Sequence, residues 1–396
     1  MKARLLTGDC LERLRDLPDA SVAAVVTDPP YGLGFMGKAW DHAVPSADVW
    51  REVLRVLRPG GHMVAFFGSR TYHRGVVAIE DAGFEIRDQL MWLYGSGFPK
   101  SLDVSKAIDK AAGARGHEGK NMRADGGVGT ASYRPTVDSR EYVRPAAITG
   151  AAQTWSGWGT ALKPAHEPIV LARKPLRGTV AANVLAHGTG AINVDGCRVH
   201  ADDAEGYARN CSGDRGHADN RQRESAFAMG CGSAHALGRW PANVLHDGSD
   251  EVIERFPHTE SGRMKPTHTN AGRSVYGQNK QGGFVTMETY GDAGSAARFF
   301  YSPKADAEDR NEGLPRDMRN THPTVKPVDL MRWLVKLITP PGGLVLDPFM
   351  GSGSTGKAAL LDGFDFIGVD LDPKHVAIAE ARLRNAGGLF VEIETA

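Results

Sequence analysis

The 396-residue chain balances 47 basic against 47 acidic side chains, and with 41% hydrophobic and 24% charged residues it has the makeup of a soluble globular protein. That length holds roughly two to three domains' worth of sequence, and the composition excludes collagen, coiled coil and wholesale disorder, although 48 glycines and 22 prolines predict long irregular stretches. No apolar run approaches the roughly 18 residues of a membrane span, and the opening MKARLLTGDCLERL lacks the apolar core of a signal peptide, so a cytoplasmic protein without a membrane partner is expected.

Residues 1–95 read as alternating strands and helices. Residues 4–7 are extended, 10–17 helical, 22–27 a continuous apolar strand, 46–57 an amphipathic helix and 62–67 another apolar strand. Val49, Trp50, Val53, Leu54 and Leu57 recur at helical spacing, and Pro59-Gly60-Gly61 is a stop signal. Such alternation predicts a parallel sheet with helices on its faces. From about Gly95 to Gly294 the pattern dissolves into Gly-, Asn-, Arg- and His-rich sequence with short apolar pieces at 168–172, 180–185 and 244–245, which reads as loops and small inserted elements. Within it, Arg263, Lys265, Arg273 and Lys280 stand in a stretch without acidic residues, and Arg173, Lys174 and Arg177 form a second basic cluster. Both suit a phosphate backbone and both equally describe a solvated loop. Regular structure returns with a helix at 329–338, a strand at 343–346, a helix at 354–361, a strand at 365–369 and a helix at 375–384. One sheet assembled from the two ends of the chain, with the middle as an insertion, accounts for this order.

Two segments carry chemistry. The stretch from Leu344 through Asp347, Phe349, Gly351, Gly353 and Thr355 is a strand, a glycine-containing turn and a helix start, where bare backbone can approach a ligand and the helix offers free N–H groups. The next strand ends at Asp370, a position from which an acid commonly binds ribose hydroxyls, although a capping or salt-bridged Asp fits there too. The second segment, Asp28-Pro29-Pro30-Tyr31, directly follows the apolar strand 22–27. Two prolines stiffen the loop and push Asp28 toward an extended backbone, so it presents one carboxylate, carbonyls without competing N–H partners and an aromatic face. That is a cradle for a flat ring bearing an amino group, whose hydrogens Asp28 and the Pro29 carbonyl accept while Tyr31 stacks on the ring.

With these motifs the sequence resembles the S-adenosylmethionine-dependent amino-methyltransferases of DNA, of bacterial and phage type, in the group whose catalytic tetrapeptide precedes the cofactor motif. The resemblance covers roughly 1–95 and 298–385. It implies a Rossmann-like α/β methyltransferase sheet, circularly permuted, with a large loop-rich insertion. It further implies a catalytic half at 1–95, an insertion at 96–297 that holds the target-recognition region and some core strands such as 168–174, and a cofactor-binding half at 298–396. Asp28, Pro29, Pro30 and Tyr31 look like the catalytic loop. Asp347, Phe349, Gly351, Gly353 and Thr355 look like the methionine-binding turn, Asp370 like the ribose-binding acid and Asp9 like part of the turn beside adenine. Lys326, in His322-Pro323-Thr324-Val325-Lys326-Pro327, belongs to a segment that resembles the one closing on the cofactor's methionine end. Ser354 stands where Thr is common and Asp370 where Glu is common.

The implied activity is site-specific methylation of adenine N6 in double-stranded DNA by base flipping, with S-adenosylmethionine as cofactor, as in restriction-modification. Adenine is favoured because Asp in the first motif position accompanies it more often, with cytosine N4 as the alternative and RNA or protein as more distant ones. Arg263, Lys265, Arg273 and Lys280 are the expected DNA contacts. No metal is expected: Cys197, His200, Cys211, His217, Cys231 and His235 lack metal-ligand spacing, and the four cysteines, Cys10 included, are too sparse for a disulfide framework. Phe299, Phe300 and Tyr301 read as packing residues, whereas Phe35 and Trp40 are candidates for contact with DNA. A dinucleotide-dependent dehydrogenase lacks the third glycine and leaves Asp28-Pro29-Pro30-Tyr31 without a task. Monomer and homodimer both stay open.

Overall fold

Nine strands form one sheet in the computed structural model, which describes residues 1–34, 41–95, 97, 101–114, 147–199, 234–235, 238–260, 293–303, 309–388 and 391–396. They are β1 (Lys2–Thr7), β2 (Val22–Thr27), β3 (Leu57–Phe66), β4 (Glu85–Leu93), β5 (His166–Arg173), β6 (Val244–His246), β7 (Leu344–Asp347), β8 (Asp365–Asp370) and β9 (Glu392–Thr395), in the spatial order β9-β1-β8-β7-β2-β3-β5-β4-β6. Strands from the two ends of the chain interleave. β1 is paired on one side with β8 and on the other with β9, and β2 lies beside β7. The expected α/β sheet with permuted chain order is therefore present.

All neighbours run parallel except β5, which is antiparallel to both β3 and β4. The reversal puts the start of β5, at His166 and Glu167, on the edge where the parallel strands end, since Glu167 pairs with Trp92 and Ile169 with Phe66.

Helices cover both faces because successive strand residues point opposite ways. In β3, Met63 and Ala65 pack with α1 (Cys10–Arg15), α2 (Ala47–Val56) and α3 (Tyr72–Asp81). After α4 (Val180–His187), the other face receives α5 (Val328–Ile338), α6 (Ser354–Leu361) and α7 (Pro373–Gly387), whose apolar residues pack with Val64 and Phe66. Fully buried side chains such as Trp50, Leu334 and Leu383 each contribute about 1.5–3 kcal/mol.

The sequence pattern ends a helix at residue 57 and places a stop at Pro59-Gly60-Gly61, but β3 runs straight through that tripeptide. Its carbonyls find partners from elsewhere in the fold: Asn183 Nδ2 and Thr189 Oγ1 donate to Pro59 O at 2.9 and 2.6 Å, and the Lys174 amide donates to Gly61 O. The described residues between 96 and 165 form a second compact unit. There the Asp109 carboxylate ties the helix Val104–Ala111 to the start of the helix Gly150–Thr154, accepting from the Ile148 and Thr149 amides and the Thr149 hydroxyl.

Candidate active site

The ends of β1, β2, β7 and β8 share one edge of the sheet, the place where open α/β sheets hold ligands. Asp28 comes directly after β2. The loop beyond it is clamped by Asp41, 2% exposed, whose carboxylate accepts the amides of Tyr31 at 2.7 Å, Gly32 at 2.9 Å and Leu33 at 3.3 Å. The Tyr31 hydroxyl lies 2.8 Å from Asp28 Oδ1 and 3.0 Å from Glu167 Oε2. Burial, followed by the charges of Asp28 and Glu167, pushes the phenol well above its ordinary pKa, so it remains a donor.

Lys326 completes this cluster. Its ammonium donates to Asp28 Oδ2 at 2.7 Å and to the Tyr31 hydroxyl at 3.1 Å, and lies 3.2 Å from Glu167 Oε2. It also sits 5.5 Å from the centre of the Tyr31 ring and 4.9 Å from that of Phe66. Burial by itself lowers the Lys326 pKa, but Asp28 and Glu167 more than offset it and hold the group above its ordinary value. Lys326, expected at the cofactor's methionine end, is bonded in this structure to Asp28 and Tyr31. Neither Glu167, in a run 162–169 that resembles scaffolding near the DNA in the family, nor Asp41 was among the expected site residues. A carboxylate at the head of the apolar run 168–172 was a usable signal for Glu167; nothing in the pattern marked Asp41.

The glycine turn is built around Asp347. Its carboxylate is buried and accepts from Thr27 Oγ1 at 2.7 Å, Thr355 Oγ1 at 2.6 Å and the Phe349 amide at 3.0 Å, so both its oxygens organise the turn. Burial lifts its pKa to about 7, against the lowering effect of those donors. Phe349 packs edge-on against Trp50. Gly351 (φ 51°) and Gly353 (φ 79°) both adopt left-handed backbone, and Gly353 caps α6. Arg382, wholly buried in α7, braces the turn by donating to Ser352 O at 2.7 Å.

Asp370 closes β8. It accepts the Gly351 amide on Oδ2 at 3.0 Å and the Asp372 amide on Oδ1 at 2.9 Å, with His375 Nδ1 3.2 Å from Oδ1. A carboxylate has about four acceptor positions, which leaves Oδ2 with one for a hydroxyl. His322 stacks edge-on against His375 with ring centres 4.6 Å apart. Burial and then His375 lower the His322 pKa, while the charges of Asp28 and Asp370 both reach its ring from the two halves of the chain. The bare glycine turn, the first turn of α6 and the strand-end acid fit a ligand that combines a charged amino-acid end with a ribose.

Asp9 is exposed and caps α1, accepting the amides of Leu11 and Glu12. Arg263, Lys265, Arg273 and Lys280 lie outside the described residues, as do Phe35, Trp40, His200, Cys211, His217 and Cys231. The second basic cluster is partly spoken for: Arg173 bonds Glu85 at 2.6 Å, and Lys174 Nζ donates to the carbonyls of Leu54 and Leu57. Cys197 is buried beside Trp333, Tyr301 stacks on Trp333, and Phe300 packs at a tilt against Phe256. No cluster of three metal-ligating side chains occurs among the described residues, and no helix among them is long and apolar enough to cross a membrane.

A solved structure of the PvuII DNA methyltransferase (cytosine-N4-specific) is 14% identical and aligns over 100% of this chain and 95% of that one, with a TM-score of 0.44. The type II methyltransferase M.XycI of Xanthomonas campestris pv. cyanopsidis is 32% identical over 110 residues, 25% of this chain and 37% of that protein. The DNA adenine methyltransferase YhdJ of Escherichia coli (strain K12) is 37% identical over 67 residues, 17% of this chain and 23% of that protein. The chain thus spans only 37% and 23% of these two curated relatives' lengths. The DNA methylase family model, in contrast, matches residues 22–381, from the start of β2 and its Asp28 loop through the glycine turn to α7. Carrying that model over well over half its length, across both the clamped Asp28 loop and the Asp347 turn, the chain belongs to the DNA methylase family of amino-methyltransferases.

Proposed function

We propose that the protein transfers a methyl group from S-adenosylmethionine to adenine N6 in double-stranded DNA, at a base flipped into the carboxyl edge of the sheet. The observation that carries this is the Asp28–Tyr31 cradle, a carboxylate bonded to a phenol at the end of a buried strand. Adenine is supported by Asp in the first position of the tetrapeptide and by the adenine specificity in the name of YhdJ. In this reading residues 1–95 supply catalysis, 298–396 hold the cofactor and 96–297 recognise the target, with Arg263, Lys265, Arg273 and Lys280 on the DNA backbone.

Asp347, Phe349, Gly351, Gly353 and Thr355 would form the turn around the cofactor's methionine end, with Asp370 at the ribose and Asp9 near adenine. When bound, the cofactor supplies an electrophilic methyl on a sulfonium. The protein's own part is positioning. An exocyclic amine has a delocalised lone pair; accepting its hydrogens at Asp28 and at the Pro29 carbonyl localises that pair. Tyr31 stacks on the base, and Asp28 stabilises the positive charge that grows on the nitrogen and takes its proton.

The test is mass spectrometry of nucleosides from unmodified DNA incubated with protein and S-adenosylmethionine. N6-methyladenine is expected; N4-methylcytosine would move the target, and no methylated base despite cofactor binding would overturn a DNA substrate. Asp28→Ala should lower transfer by about a hundredfold or more and leave cofactor affinity unchanged.

A further inference from the structure

Two carboxylates, Asp28 and Glu167, converge on one ammonium. Lys326 lies 2.7 Å from Asp28 Oδ2 and 3.2 Å from Glu167 Oε2, with side-chain exposures of 9% for the lysine, 18% for Asp28 and 20% for Glu167. An N–H donor bonded to Asp28 close to the Tyr31 ring is what an incoming exocyclic amine would also be. Lys326 therefore stands where the target amine has to be received, and both cannot donate to Asp28 Oδ2 in the same direction. Nothing of the kind limits Glu167, whose Oε2 already contacts both Lys326 and the Tyr31 hydroxyl. A buried ammonium cannot be left without a counter-ion, because its desolvation goes uncompensated.

Resting on amino-methylation at Asp28, we infer that Glu167 is a positioning residue: its carboxylate holds Lys326 when the target amine displaces that lysine from Asp28. Glu167 also sets the charge of the site. With Tyr31 neutral, two carboxylates and one ammonium sum to −1, which suits a nitrogen that becomes positive. Removing the Glu167 charge alone leaves Asp28 neutralised by Lys326. Removing both the Glu167 and the Lys326 charges returns the sum to −1 with Asp28 free.

The experiment is a double-mutant cycle of Glu167→Gln, Lys326→Met and the pair, with methyl transfer to unmodified DNA, cofactor affinity by calorimetry and thermal midpoint measured for each. Glu167→Gln should lower kcat about tenfold or more with cofactor affinity within about twofold, and adding Lys326→Met should restore most of the loss. Should Glu167→Gln alone fail to fold, the Lys326→Met background decides, because there Glu167→Gln should change kcat by less than about twofold. Wild-type kcat in Glu167→Gln, or losses that multiply in the pair, would overturn the role of Glu167 while leaving amino-methylation intact. A wild-type protein that methylates no DNA would overturn both.

Discussion

A single carboxylate illustrates how burial and hydrogen bonding compete. Asp347 accepts three hydrogen bonds, yet burial prevails and its pKa rises from 3.8 to about 7. Because the folded value exceeds the unfolded one, the folded state binds the proton more tightly. The stabilisation is complete below about pH 4 and is lost as pH rises through about 7. Asp347→Asn removes the titration, so between these limits the thermal midpoint of this variant should vary less with pH than that of the wild type. Parallel curves from calorimetric melts would contradict that. Asp28 has different surroundings: its partners Lys326 and Tyr31 both donate to it at the edge of the sheet.

At the scale of elements, the turn between β7 and α6 is a close-packed junction of the site. A Cβ on Gly353 would lie 2.8 Å from Ala379 Cβ and 3.0 Å from Leu383 Cδ1, at a φ of 79° that side chains adopt rarely. The glycine thus permits α7 to press against the start of α6. Gly353→Ala should lower stability by about 1–2 kcal/mol from backbone strain alone and weaken S-adenosylmethionine binding, both visible in melts with and without the cofactor. An unchanged midpoint would show that α7 yields to the methyl group. The clamp by Asp41 is the counterpart on the other loop. Two prolines stiffen the chain at Pro29 and Pro30, and one buried carboxylate, holding three amides, fixes the path of Tyr31, Gly32 and Leu33.

For the molecule as a whole, interleaving is the governing feature. β1 finds both of its partners in the last 32 residues of the chain, where β8 begins at Asp365 and β9 ends at Thr395, and Ala396 adds a backbone bond to Leu5. An isolated fragment of residues 1–95 would present β1 and one side of β2 with unpaired backbone groups and apolar faces uncovered by α5 and α7. It should therefore show no cooperative thermal transition by circular dichroism, whereas the full chain should; a cooperative melt of the fragment would mean that the β2–β3 pair and its helices suffice as a core.

How much of this was legible in the sequence depends on the range of the forces involved. Residue spacing sets local structure, so β2 at 22–27 and α6 at 354–361 were legible to the residue, and the stiff Asp28 loop and the glycine turn declared themselves through prolines and glycines that act on their own backbone. The helix does end before Pro59-Gly60-Gly61, at Val56, but the start of β3 at Leu57 rather than at 62 was not legible, because partners of this stretch, Asn183 and Thr189, lie more than 120 residues away. Chain alone thus determined many of the elements, though not α3, β4 or β9, and with them the two chemical motifs and their family. Only the tertiary structure decided that β5 runs backwards, that this brings Glu167 to the ends of the parallel strands, and that Lys326 spans 298 residues to bond Asp28, because strand direction and ion pairing across a sheet depend on neighbours that no local pattern encodes.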